Sequence, residues 1–227
     1  MGFLDKWYNR EPKKEIEKNS PEKQGAALFF SVFWREFWEL CKLNLILILF
    51  CIPVVTIPAA LTAMHKIMMF MFMDRPVYTF SDFFAAFKAE WKRASIAGVI
   101  YFPILAVTAF GMFFYSAVLV SYVLYIISML VCAVVLIVGF YLFPMLAVLD
   151  MNLKGIFKNA VLLAFLRMPQ NVLTLTIIVL LAMLAWMFLP PSIIAVLLIF
   201  FTLIGFITTF CAYTGLRKFV ITDNQSG

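Results

Sequence analysis

Two stretches of this chain run without charge for longer than one membrane crossing needs. Arg93 to Asp150 encloses 56 uncharged residues, and Arg167 to Arg217 encloses 49. A helix crosses the ~30 Å hydrocarbon core in about 20 residues, so each stretch holds two crossings and a short turn. A third stretch, Leu43–Met64, runs 22 residues without charge but is interrupted by Pro53 and Pro58. The chain is 65% hydrophobic and 13% charged, which excludes a disordered or ordinary soluble protein. The expected fold class is all-α: a polytopic helical membrane protein.

The two prolines shape the first membrane segment. Proline has no N–H and clashes with the preceding turn, so a straight helix through both is not expected. The stretch reads as a hairpin with its apex at Cys51–Pro58. Each arm holds about a dozen apolar residues, ~20 Å at ~1.5 Å per residue. Such a hairpin either thins the bilayer locally or is re-entrant. Irregular backbone at that depth survives only against protein or water.

The net charge of +6 is a topology signal rather than a nucleic-acid footprint. Lys and Arg number eight in Met1–Lys42, five in His65–Arg93, three in Asp150–Arg167 and two at Arg217–Lys218. The turns near Tyr115–Tyr122 and Pro190–Ser192 have none. By the positive-inside rule both termini and all charged loops are expected on the cytoplasmic side of a bacterial inner membrane. With no apolar leader in the charged segment 1–24, the first hairpin would act as the insertion signal.

An aromatic pattern recurs ahead of the hairpins. Phe30, Phe33, Trp34 and Phe37 repeat the spacing of Phe80, Phe83, Phe84 and Phe87, and Trp91 extends the second copy. The spacing is one face of a helix. A weaker third copy runs Leu153, Ile156, Phe157, Ala160 and Ala164. The pattern reads either as internal repetition or as the stripe common to interfacial helices. The chain then divides into a charged tail (1–26), a membrane domain (27–218) and a short tail (219–227). The domain holds three units of amphipathic helix plus hairpin: 27–73, 79–149 and 151–216. The amphipathic helices are expected to lie along the inner interface. Thr79 with Asp82 resembles a capping box; Asn152 and Asp150 are candidate caps for the third copy.

The run Asn44…Cys51-Ile52-Pro53-Val54-Val55-Thr56-Ile57-Pro58, the Phe83–Phe87 helix and Phe143-Pro144-Met145-Leu146-Ala147-Val148-Leu149-Asp150 together resemble the YesL-like family of bacterial membrane proteins. That family has no assigned function. The resemblance implies a place beside carbohydrate-uptake ABC transporters, and hence ABC permease subunits as partners. It supplies no catalytic residues.

Little in the chain carries chemistry. It has one histidine and four scattered cysteines, and it lacks the hydrolase, phosphate-loop and metalloprotease motifs. A non-enzymatic protein without cofactor is expected. Met64, His65, Met68, Met69, Met71 and Met73 form a soft-ligand group suited to Cu(I), but adaptable packing by methionine is the stronger reading. The candidate polar and structural site is Asn44, Pro53, Thr56, Pro58, Thr62, His65 and Lys66. Intramembrane polar groups face protein or water, so these residues either bond neighbouring helices or bind a solute. Lys66 is expected to mark where the returning arm reaches the headgroups. Two functions follow: an accessory or assembly partner of a carbohydrate transporter, or a small permease or lipid/solute-binding protein.

Overall fold

A computed structural model describes residues 25–189 and 192–217. The two charged tails and the Pro190-Pro191 turn lie outside the described residues. Among the described residues every regular element is helical: α1 (Ala26–Arg35), α2 (Phe37–Cys51), a 3-10 turn (Val54–Thr56), α3 (Ile57–Phe72), α4 (Thr79–Ala117), α5 (Tyr122–Val148), α6 (Leu153–Leu166) and α7 (Met168–Met187). The last helix, α8 (Ser192–Leu216), contains a π-helical segment at Val196–Phe200. Five segments are long and apolar enough to cross a membrane: Val54–Phe72, α4, α5, α7 and α8. The protein is an all-α polytopic membrane protein.

Local chemistry sets the ends. Helix α2 stops at Cys51 because Pro53 follows, and α3 restarts with Pro58 in its first turn, where the missing N–H has no helical partner to lose. Helix α3 ends in a Schellman motif. Arg75 N–H reaches Phe70 O (3.0 Å) and Asp74 N–H reaches Met71 O (3.3 Å). Asp74 takes the left-handed conformation (φ 54°) that glycine usually supplies. The Asn152 carboxamide caps α6 by accepting from Gly155 N–H at 2.9 Å.

The three expected amphipathic units take different forms. The first copy is bent at Glu36 (φ −103°, ψ 15°), because Arg35 is drawn to the end of α3, where it pairs with Asp74 (2.6 Å) and donates to Met71 O (3.2 Å). The second copy is not a separate interfacial helix. It is the start of α4, which continues unbroken for 39 residues through Pro103. Nothing between Trp91 and Pro103 stops a helix, and at ~58 Å α4 is longer than the bilayer core. The third copy is a helix of its own, α6. The Thr79–Asp82 box forms by half. Asp82 accepts from Tyr78 N–H at 2.8 Å, while the Thr79 hydroxyl donates to Glu39 across the hairpin instead. Asp150 does not cap α6; it pairs with Arg93 (3.2 Å).

The core has two parts. Helices α1, α2 and α3 meet Phe83 and Phe206 in one; α5 and α6 meet α4 and the end of α8 in the other. Helix α8 joins them, with Phe206 in the first and Cys211, Ala212 and Leu216 in the second. Helices α3 and α4 approach closely where the Pro58 ring sits on Gly98. A Cβ added at Gly98 would lie 2.2 Å from Pro58 Cγ. The proline ring cannot rotate away, so Gly98→Ala is expected to destabilise the protein by about 1–3 kcal/mol in thermal unfolding in detergent. Gly155→Ala, whose Cβ would meet the flexible Met151 methyl at 3.3 Å and Asn152 Oδ1 at an ordinary 3.7 Å, should be near neutral. Equal stability of the two variants would show that the α3–α4 approach is loose.

Candidate functional site

The seven candidate residues separate into distinct environments. Pro53 and Thr56 form the apex, where the Thr56 hydroxyl is shared between the carbonyls of Phe50 and Pro53. Pro53 O also accepts the Thr56 N–H at 3.0 Å, so the hydroxyl and amide of one residue both serve the break. Thr62 donates back to Pro58 O (2.9 Å) and is fully buried. Asn44, also fully buried, reaches the third hairpin. Its Nδ2 donates to Leu197 O (2.7 Å) and Val196 O (3.2 Å), and its Oδ1 accepts from Thr202 N–H (3.0 Å). One carboxamide thus satisfies backbone groups that the π segment leaves out of α-helical register.

Lys66 is held inside the protein. Its side chain is 7% exposed and pairs with Glu90, itself 9% exposed, at 3.5 Å. Glu90 also faces Arg93 (3.4 Å), and Arg93 reaches Asp150, Leu149 O (3.2 Å) and Met151 O (2.6 Å). A cation from the first hairpin is thereby locked to the second unit and to the start of the third. Glu90 is the residue that the sequence reading passed over. Its signal was its place in the stripe Phe83, Ala86, Glu90, Ala94, Ala97, the buried face of α4.

A second buried polar group lies at the α6–α7 break. Pro169 cannot continue α6, and Asn171 donates to Ala164 O (2.9 Å) and Leu163 O (3.4 Å). Its Oδ1 accepts from the Tyr141 hydroxyl at 2.6 Å. Arg167 closes the cluster onto α8 through Cys211 O (2.7 Å) and Thr214 Oγ1 (3.0 Å).

The aromatic faces also divide. Phe83 is fully buried, whereas Phe30, Trp34, Phe80 and Phe84 are exposed, and Phe33, Phe37, Phe87 and Trp91 are half-buried. Phe50, three residues before Pro53, packs its ring 5.0–5.4 Å from Phe83, Phe84 and Phe87. The second stripe therefore meets the hairpin on one side and leaves Phe80 and Phe84 outward. The methionines fill core: Met64, Met68, Met69 and Met71 are buried, with Met64 and Met68 against Gly205.

Between the hairpins lies a cleft of about 660 Å³. Leu47, Ile48 and Cys51 of α2, Leu61, Met64 and His65 of α3, and Tyr101 and Leu105 of α4 line one part. Leu136, Gly139 and Phe143 of α5 and Ile204, Gly205 and Thr208 of α8 line the rest. The lining is overwhelmingly apolar. Its polar groups are largely committed: Tyr101 hydroxyl to Val135 O (3.2 Å) and Thr208 to Gly205 O (2.9 Å). His65 Nδ1 lies 2.7 Å from the Thr209 hydroxyl. Of the seven candidates only His65 lines this cleft; Pro53 and Thr56 face a smaller groove of about 440 Å³ with Phe87 and Trp91.

Residues 40–112, the first hairpin and most of α4, match the family described as Protein of unknown function, DUF624. No curated protein and no solved structure matches.

The polar bridges make a ranked prediction. Glu90→Gln removes the carboxylate that lies between Lys66 and Arg93, and breaking such a buried pair costs about 3–5 kcal/mol. Asn44→Leu removes a neutral bridge, on the order of 1 kcal/mol in membrane proteins. Unfolding in a denaturing detergent should show the larger loss for Glu90→Gln. The reverse order would mean that water reaches the Lys66–Glu90 pair.

Proposed function

We propose that this is a non-enzymatic membrane protein that binds an apolar ligand, such as a lipid chain, in the cleft beside the proline-broken hairpin. The observation behind this reading is the lining of the cleft: space on the scale of small-molecule sites, walled by aliphatic and aromatic side chains. A sugar would meet almost no hydrogen-bonding groups there, so the cleft does not suit carbohydrate itself. The role of partner to carbohydrate ABC permease subunits rests on the YesL-like resemblance. It also draws on α7, where Asn171 alone is buried and apolar side chains such as Leu173, Leu180 and Trp186 are outward.

The binding reading is tested with Ile204→Trp, which fills the cleft from a half-buried position. The purified variant should melt within a few degrees of the parent and lose at least tenfold in affinity for a long-chain lipid analogue. Unchanged affinity would remove the cleft as the site. Transporter subunits that co-purify from mild detergent with a protein that binds no lipid analogue would favour the partner role.

We place the protein in the bacterial inner membrane with both termini cytoplasmic, on the distribution of Lys and Arg. Single-cysteine reporters at Tyr8 and Asn224 should react only from the cytoplasmic side. Labelling from outside would reverse the orientation.

A further inference from the structure

His65 is 95% buried, with 5% of its surface exposed, and it lines the cleft. Its ring nitrogens differ in what they can offer. The Thr209 hydroxyl lies 2.6 Å from Gly205 O and 2.7 Å from His65 Nδ1. A carbonyl oxygen can only accept, and a hydroxyl has a single proton. At 2.6 Å that proton must lie between Thr209 and Gly205 O. Thr209 Oγ1 then meets Nδ1 with a lone pair, so Nδ1 must carry the hydrogen and donate. The alternative acceptor for Thr209, Met68 Sδ at 3.5 Å, is a weaker partner. The tautomer of His65 is thereby set by a bond to α8, as the bond at one ring nitrogen sets the state of the other. Nε2 is left as an acceptor, and it hydrogen-bonds to no described residue.

An acceptor without a donor, in an apolar cleft, selects a ligand. We infer that the cleft takes a lipid-like molecule with a free hydroxyl, such as a long-chain alcohol, whose O–H donates to His65 Nε2 while its chain lies against Leu61, Leu105, Leu136 and Ile204. A molecule with an acceptor only, such as the matching methyl ether, leaves Nε2 unpaired. An unmade buried bond is penalised more than a made one is rewarded. The inference rests on the apolar-ligand reading and adds the chemistry of the ligand's polar end.

The chain has one histidine, so histidine labelled with ¹⁵N gives one pair of ring signals in the full-length protein in detergent. The free protein should show Nδ1 protonated and Nε2 bare. Added 1-hexadecanol should shift Nε2 and leave Nδ1 in place. In competition binding, 1-hexadecanol should outcompete hexadecyl methyl ether about fivefold, the factor for one neutral hydrogen bond. Thr209→Val frees the ring to change tautomer and should erase that preference. A proton on Nε2 in the free parent protein overturns the inference without any variant. Equal binding of alcohol and ether, both still blocked by Ile204→Trp, overturns it while the apolar-site reading stands. No binding of either overturns both.

Discussion

Backbone polar groups inside a bilayer have no water to turn to, and each one left unmatched costs several kcal/mol. Among the described residues, three departures from regular α-helix are each met by a polar side chain. Thr56 serves the Pro53 break through Phe50 O and Pro53 O. Asn44 serves the π segment of α8 through three bonds. Asn171 serves the Pro169 break through Leu163 O and Ala164 O. Thr56 acts within its own turn, whereas Asn44 joins the first hairpin to the third. The bond that removes a backbone defect is in that case also the bond that holds two units together. Thr202 reinforces the same junction by donating to Leu40 O (3.2 Å).

Helix α3 is held against α4 at its start and at its middle. Pro58 rests on Gly98 near its start, and Lys66 meets Glu90 two turns later. These contacts fix register in different ways. The proline–glycine contact sets how closely the helices approach, and the ion pair sets their axial position, because a slip by one turn would separate two buried charges. With α3 pinned, consecutive residues project to different neighbours. Lys66 faces α4, while His65 faces α8 and the cleft. Helix α2 contacts both α3 and the π segment of α8, and the cleft lies between these helices, α4, α5 and the middle of α8.

Much of this was legible in the chain. Pro53 and Pro58 announced the apex because proline has few tolerated places in a helix. Asn152 announced the start of α6 because its side chain can replace a missing helical acceptor. The uncharged runs announced the second and third hairpins. Three features were not legible, for separate reasons. The continuity of α4 was hidden because an aromatic stripe with charge opposite it looks alike at an interface and at the foot of a long helix. Glu90 was hidden among its charged neighbours Lys88, Lys92 and Arg93, although its register with Phe83 and Ala97 was available. The π segment Val196–Phe200 has no marker in its own residues, since Val-Leu-Leu-Ile-Phe suits a regular helix equally well; the side chain that bonds its carbonyl lies 152 residues away, in Asn44. The cleft shares that character, because its walls come from five helices that no local pattern relates.

Gly205 shows how few atoms decide what the cleft can recognise. Its missing side chain lets the Met64 methyl lie where a Cβ would come within 2.4 Å of it, which closes α3 onto α8. That closeness brings His65, the next residue, within reach of Thr209. The Gly205 carbonyl then takes the Thr209 proton, and so obliges the imidazole to donate rather than accept at Nδ1. Packing and polarity are therefore set by one residue, with no charged group at the point of recognition. A side chain at position 205 would displace the Met64 methyl, which packs beside the His65–Thr209 bond. The chemistry of the cleft is in this sense a consequence of helix packing: the distance between α3 and α8 determines which nitrogen of His65 faces a ligand as an acceptor.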